Sequence, residues 1–351
     1  MVHSGLTTTA AVLRDPGGPL SIERLHIPEL KPGQVLVDLV WSGVCATQLL
    51  EARGMRGPDA YVPHTLGHEA TGHVAAVGEG VTKVAEGDAV VVTWLKGEGA
   101  DVPSTTYESE SGETVNSGAI STFMETTVTC ENRVVRIDAD SPLREAALLG
   151  CALPTGAGAV LKTAGVEEGA SVAIFGVGGV GLAAVAGAML AKAGRIFAVD
   201  LKQPALERAR AAGATDAVDA SERDSDEAIL ELTDGRGVDY AIECSGARPA
   251  MEAAFRSVRR GGGLTVLAGN LPHGGRIEID PFELIAGRRI IGTWGGDTRP
   301  DEDIPRYLEM LKDGRLDPVP LLGEEFALAE VDRAIDALHG GAPGRPLLKL
   351  R

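Results

Sequence analysis

The stretch "FGVGGVG", Phe175 to Gly181, decides how the second half of the chain folds. It follows a short apolar run, "SVAIF", and opens "LAAVAGAMLAKAG", whose composition is helical. A strand that turns through glycines into a helix brings unpaired N–H groups and the positive end of a helix dipole to one point, which suits a pyrophosphate. Gly176 permits the tight turn, Gly178 lets the backbone approach a phosphate, and Gly181 lets helix and strand pack closely; Gly179 and Val180 complete the expected cofactor turn. The next strand-like run, "RIFAVD", ends at Asp200, nineteen residues beyond Gly181. A carboxylate there accepts hydrogen bonds from ribose hydroxyls and repels a 2′-phosphate. The following "LKQP" offers Lys202 but no arginine next to the aspartate. The reading is a dinucleotide site for NAD in preference to NADP.

Outward from this turn the same rhythm continues. Helix-like "PALERARAAG", "DEAILELTDGRG" and "PAMEAAFRSVRRGGG" alternate with strand-like "ATDAVDA", "VDYAIEC", "LTVLAG" and "RRIIGTWGG". Six short strands alternating with helices are the pattern of a doubly wound parallel sheet. After Gly296, "IPRYLEMLKDGRLDP" reads as a further helix before the tail. The first half reads differently: "GQVLVDLVWSGVC" and "HVAAVGEGVTKVAEGDAVVVTW" are β-rich with glycine turns. Between Lys96 and Gly118 the chain is polar, and a long surface loop is expected there, either a functional lid or an unstructured insertion.

Composition narrows the function. At 351 residues with 44% apolar and 24% charged residues, a globular chain of two domains is expected. The net charge of −17 argues against nucleic acid and against adsorption to an anionic membrane. The opening residues lack a charged segment followed by an apolar one, and no run is long enough to span a bilayer, so a cytoplasmic protein is expected. Four scattered cysteines do not make a disulfide framework.

Those cysteines raise a second question. Cys45, in "GVCATQLLEARG", could be a buried filler, a nucleophile or a metal ligand. "LGHEATGH" supplies His68 and Glu69, and "LLGCALPTGAGAV" supplies Cys151. Two cysteines, one histidine and a following glutamate are the ingredients of a catalytic zinc that keeps one position open.

The motifs in their order, "GVCAT", "GHEATG", "GDAVVV", "GCALPTGAGA", "GVGGVG", Asp200, "GTWGG" and "GAPGRPLL", resemble the zinc-dependent medium-chain dehydrogenases of the alcohol dehydrogenase superfamily over nearly the whole chain. The resemblance implies an α/β protein: a GroES-like β-rich catalytic domain over 1–152, a Rossmann domain over 153–295, and a return to the first over 296–351. It implies zinc on Cys45, His68 and Cys151, with Glu69 behind the metal as an alternative ligand. Thr47 is similar to the hydroxyl that bonds the substrate oxygen and starts the proton's exit; it could also cap a helix. Thr155 is expected near the nicotinamide and Val180 behind its ring. Ala268 and Trp294 are expected where backbone groups meet the carboxamide, and Arg345 at the pyrophosphate. The resemblance further implies a small alcohol or carbonyl substrate and a homodimer or homotetramer, joined along "GRRIIGTWG".

Two departures follow. Many members hold a second, structural zinc with four cysteines, but Trp94 to Ser121 contains none, so one zinc per chain and no structural zinc is expected. The proton relay usually ends in a histidine, where this chain has Leu49 and Leu50; Ala46 stands where a basic residue often meets the pyrophosphate. The proton is then expected to leave by another route, through the cofactor ribose and water or through His64.

For the substrate, "WLKGEGA…Y…VNSG…TF" is most similar to dehydrogenases of sugars, sugar phosphates and cyclitols. Asn116, Ser117, Thr122 and Tyr107 would bind hydroxyls, and Lys96, Arg53 and Arg56 a phosphate. A formaldehyde–thiol adduct comes second, through "GTWGG", and simple alcohols third. A zinc-independent reductase or a cofactor-binding protein is the rival of another class.

Overall fold

The computed structural model describes residues 5–351. Its later half contains a six-stranded parallel sheet in the order Asp216–Asp219, Arg195–Asp200, Ser171–Phe175, Tyr240–Glu243, Leu264–Leu267, Arg289–Gly292. These are the six strands expected from the sequence. The strands are near-continuous apolar runs because helices cover both faces of such a sheet. Val172 and Ile174 point into one core, Ala173 and Phe175 into the other. The chain order reverses between Ser171–Phe175 and Tyr240–Glu243, and the crevice beyond their carboxyl ends is where ligands bind in open sheets of this kind.

The first domain combines two β structures. Thr7–Leu13, Ser21–His26, Thr106–Ser109, Thr114–Asn116 and His64–Thr65 close into a small barrel. A second sheet is centred on Gln34–Gly43 and Glu69–Val77, and the chain returns to it through Leu322–Ala327 and Arg345–Lys349. The two domains are not separate bodies: one apolar core runs from Val91 and Val135 through Leu148, Leu149 and Leu153 to Val172 and Leu182.

The expected loop from Lys96 to Gly118 is corrected here. It contains a hairpin, Thr106–Ser109 against Thr114–Asn116, with Tyr107 opposite Val115. Both of those side chains are buried while Thr106, Glu108 and Thr114 are exposed, the alternation of a half-buried strand. The expected helix after Gly296 runs over Pro300–Lys312. Among the described residues no single helix is long and apolar enough to cross a membrane.

Candidate metal centre and cofactor cleft

Three elements bring the sequence-predicted ligands together. Cys45 ends the strand Gln34–Gly43 two residues on and stands at the N-cap of the helix Ala46–Ala52. His68 precedes the strand Glu69–Val77, and Cys151 is the N-cap of the helix Ala152–Gly158. Their ligand atoms lie within 4.8 Å of one another, with His68 Nε2 at 3.2 Å from Cys151 Sγ. Thiolate and imidazole donors about 2.0–2.3 Å from one ion would stand roughly 3.3–3.8 Å apart, so the set fits a tetrahedral zinc with one position open. Both thiols are buried. A hydrogen bond from Cys151 pulls the Cys45 thiol well below its usual range, and the Arg345 charge and His68 assist against burial. Cys151, the donor, is pushed up correspondingly. A metal taking both as thiolates would displace their protons.

Glu69 lies directly behind. It is fully buried; Oε2 accepts the Ala152 N–H at 3.0 Å, and Oε1 takes the Arg345 guanidinium. Arg345, expected at the pyrophosphate, pairs here with Glu69. Its side chain runs along Gly179 but its guanidinium turns to Glu69, because a buried carboxylate needs a counter-charge. Its Nη2 has no partner.

Gln48 was missed in the sequence. Its Oε1 accepts the Cys45 N–H at 3.0 Å and its amide nitrogen meets His68 Nδ1 at 2.5 Å. With Oε1 engaged by the Cys45 N–H, the amide nitrogen is the atom that faces Nδ1, and it fixes the orientation of the ring beside Cys45. The signal was the Cys-x-x-Gln spacing at a helix start, where the third helical side chain reaches back to the cap. Gln48→Leu is expected to weaken zinc binding by about ten- to a hundredfold, the usual loss for a group that orients a ligand. Competition with a chromogenic chelator measures it; unchanged affinity would remove Gln48 from the site.

Thr47 is the second residue of its helix, so the capping alternative is corrected: Cys45 holds the cap position. Its Oγ1 lies 3.8 Å from Cys45 Sγ, and it lines a cleft of about 860 Å³ with Cys45, Val180, Cys244 and Ala268. The far wall, Asn270 to Arg276, reaches the first domain where the His273 N–H bonds Met55 O at 2.9 Å. A second cavity of about 370 Å³, beyond the sheet, is lined by Gly176, Val199, Asp200, Ser225 and Pro249.

The turn between them fits a dinucleotide. Gly176 adopts φ +79°, and a Cβ on Gly181 would stand 1.9 Å from Gly176 O, so both need glycine. At Gly178 a Cβ would meet no protein atom, leaving that space to a ligand. Asp200 accepts the Val177 N–H at 2.9 Å and the Lys202 N–H at 3.1 Å. Thr155 is buried with its hydroxyl unpartnered, as a group awaiting a ligand would be. Trp294 is 76% exposed, not a core aromatic; it packs edge-on against Trp94 at 5.0 Å, and Trp94 lies 6.2 Å from His68.

On the other side of His68 is a chamber of about 510 Å³. His64 lines it, but its Nε2 meets Asp59 at 2.8 Å and its Nδ1 meets Thr65 O at 3.0 Å. Both nitrogens face acceptors and neither faces Thr47, which lines the other cleft. His64→Gln is accordingly expected to leave the pH profile of turnover unchanged; a displaced profile would restore His64 to the relay. Asn116 and Ser117 also line the chamber, whereas Tyr107 and Thr122 are in the core, bonded to Val128 N–H and Ser42. The cations expected to meet a phosphate are drawn off: Lys96 to Asp101 at 2.6 Å, Arg53 to Asp336, and Arg56 toward Glu51 at 3.7 Å.

Two family models match, the alcohol dehydrogenase GroES-like domain over residues 31–139 and the zinc-binding dehydrogenase over 179–313. An S-(hydroxymethyl)glutathione dehydrogenase of Synechocystis is 34% identical over 98% of this chain and 100% of its own. This chain belongs to the zinc-dependent medium-chain dehydrogenases. Among solved structures, an alcohol dehydrogenase zinc-binding domain protein from Burkholderia ambifaria superposes with a TM-score of 0.90 at 32% identity, covering 99% of each chain. Benzyl alcohol dehydrogenase from Acinetobacter calcoaceticus gives 0.88 at 27%, covering 99% of this chain and 100% of its own. As a medium-chain dehydrogenase the chain is an oxidoreductase acting on CH–OH groups, built from a GroES-like and a Rossmann domain.

Proposed function

We propose that this dehydrogenase oxidises a zinc-bound secondary alcohol of the polyol, sugar or cyclitol class with NAD. The observation that carries the reading is the Cys45–His68–Cys151 triad standing between a dinucleotide cleft and a chamber with amide and hydroxyl walls. Zinc would polarise the substrate oxygen, and NAD would accept the hydride. Thr47 would hold the substrate hydroxyl and relay its proton, receiving it while passing its own hydroxyl proton on toward solvent, and Val180 would press the nicotinamide toward the triad. Glu69, clamped by Arg345, would hold negative charge behind the metal and serve as its alternative ligand. Thr155, Ala268 and Trp294 would border the nicotinamide. Asp200 supports NAD, with Lys202 turned to Gly340 O and Arg223 paired with Glu231 in the adjoining cavity.

One zinc per chain is part of this reading. So is a cytoplasmic setting, which keeps the Cys45 and Cys151 thiols reduced. An assembly of two or four copies is supported by the exposed apolar edge at Phe282, Leu284 and Ile285 beside the last strand; a monomer by light scattering would overturn it. A second reading, a formaldehyde–thiol adduct as substrate, is supported by relatives named S-(hydroxymethyl)glutathione dehydrogenase.

NAD and NADP reduction screened over polyols, cyclitols and hydroxymethyl thiols, with zinc measured by elemental analysis, tests all of this. Turnover with NAD on a polyol and one zinc per chain is expected. Full activity without zinc would instead favour the reductase alternative.

A further inference from the structure

The chamber beside His68 carries two carboxyl groups, Glu51 and Asp59, and no lysine or arginine among the described residues lines it. The nearby cationic groups are already engaged. Asp59 is bound to His64 at 2.8 Å and to the Tyr61 N–H at 2.9 Å, and Arg56 leans on Glu51 from outside. Part of the polar wall is committed too. Asn116 donates to Tyr61 O at 2.7 Å, and the Ser117 hydroxyl donates to Ser121 at 2.9 Å. An anion entering this space would lose hydration, find no free cation, and face two carboxyl groups. A neutral hydroxyl compound loses little and can donate to those same oxygens.

We propose that Glu51 and Asp59 make this chamber selective for neutral or cationic substrates and exclude anionic ones. The inference rests on the dehydrogenase reading above and sharpens its substrate class. It sets this chain apart from relatives named for glutathione, whose adduct carries two carboxylates and one ammonium. A hydroxymethyl thioether of a neutral thiol would pass: its carbinol C–H gives hydride to NAD, its hydroxyl proton goes to solvent, and a thioester of formic acid remains. Phosphate esters of a polyol would be refused where the polyol is accepted.

The test compares kcat/KM on the zinc-loaded enzyme for formaldehyde adducts of glutathione and of 2-mercaptoethanol, and for an active polyol against its phosphate ester. The neutral member of each pair is expected to lead by about tenfold or more, a discrimination worth ~1.4 kcal/mol. Glu51→Gln should narrow the gap. Tyr61→Arg, at a position 71% exposed on the chamber wall, should raise the anionic members relative to the neutral ones. A glutathione adduct or phosphate ester turned over as well as its neutral partner would overturn the inference while the dehydrogenase reading stands. A gap that neither variant moves would also overturn it. No turnover on any alcohol by protein holding its zinc would overturn both.

Discussion

Replacing Cys151 by alanine is expected to strip the metal and lower kcat/KM by at least about a thousandfold, since Lewis-acid polarisation of a substrate oxygen supplies several kcal/mol of transition-state stabilisation. The triad offers three donors, and Glu69, the alternative ligand, is held by Arg345 and the Ala152 N–H, so it is a poor replacement for a lost thiolate. The fold should survive. Cys151 is small, and the Ala152 N–H that fixes Glu69 belongs to the backbone. Circular dichroism unchanged from wild type, NADH binding retained by fluorescence titration, and zinc lost by elemental analysis make up the expected result. If turnover stayed within tenfold of wild type after zinc was lost, the metal would have no part in the chemistry. A zinc-independent reductase would then be the better description.

What the sequence made legible divides along physical lines. The parallel sheet was readable because its inner strands are buried on both faces and so appear as apolar runs such as "SVAIF", alternating with helical segments. The glycine turn was readable because Gly176 and Gly181 are demanded by backbone geometry, which no other residue meets. The metal triad was readable as residue types, and the fold brings them together across more than a hundred positions. The hairpin Thr106–Asn116 was not. Its strands are four and three residues long, and the exposed Thr106, Glu108 and Thr114 mask the buried apolar pair, Tyr107 and Val115, that places them. Pairings were also hidden. Arg345 reads as a phosphate ligand by its position in the chain, and only the folded structure shows Glu69 fully buried beside it. Gln48 shows the same limit: an amide on a short helix is unremarkable until His68 is seen against it.

The second large effect belongs to that hidden pair. Arg345→Met is expected to destabilise the protein by about 3–5 kcal/mol, the usual result of leaving a buried charge without its partner. Arg345 is 2% exposed and Glu69 is 0% exposed, so water cannot replace the lost guanidinium. The carboxylate keeps the Ala152 N–H, a single neutral donor. Arg345 also favours the Cys45 thiolate, and its loss should weaken zinc binding as well, which compounds the effect in the metal-loaded enzyme. Glu69→Gln combined with Arg345→Met removes both charges and should recover a large part of the stability. The volume stays nearly filled, and the amide oxygen can still accept the Ala152 N–H. Urea unfolding of the metal-free proteins, followed by circular dichroism, separates the two contributions. The double variant should be more stable than Arg345→Met alone. If the single variant fell within 1 kcal/mol of wild type, on the scale of an exposed pair, Glu69 would not be carrying a buried charge. The pair's role would then be confined to the metal.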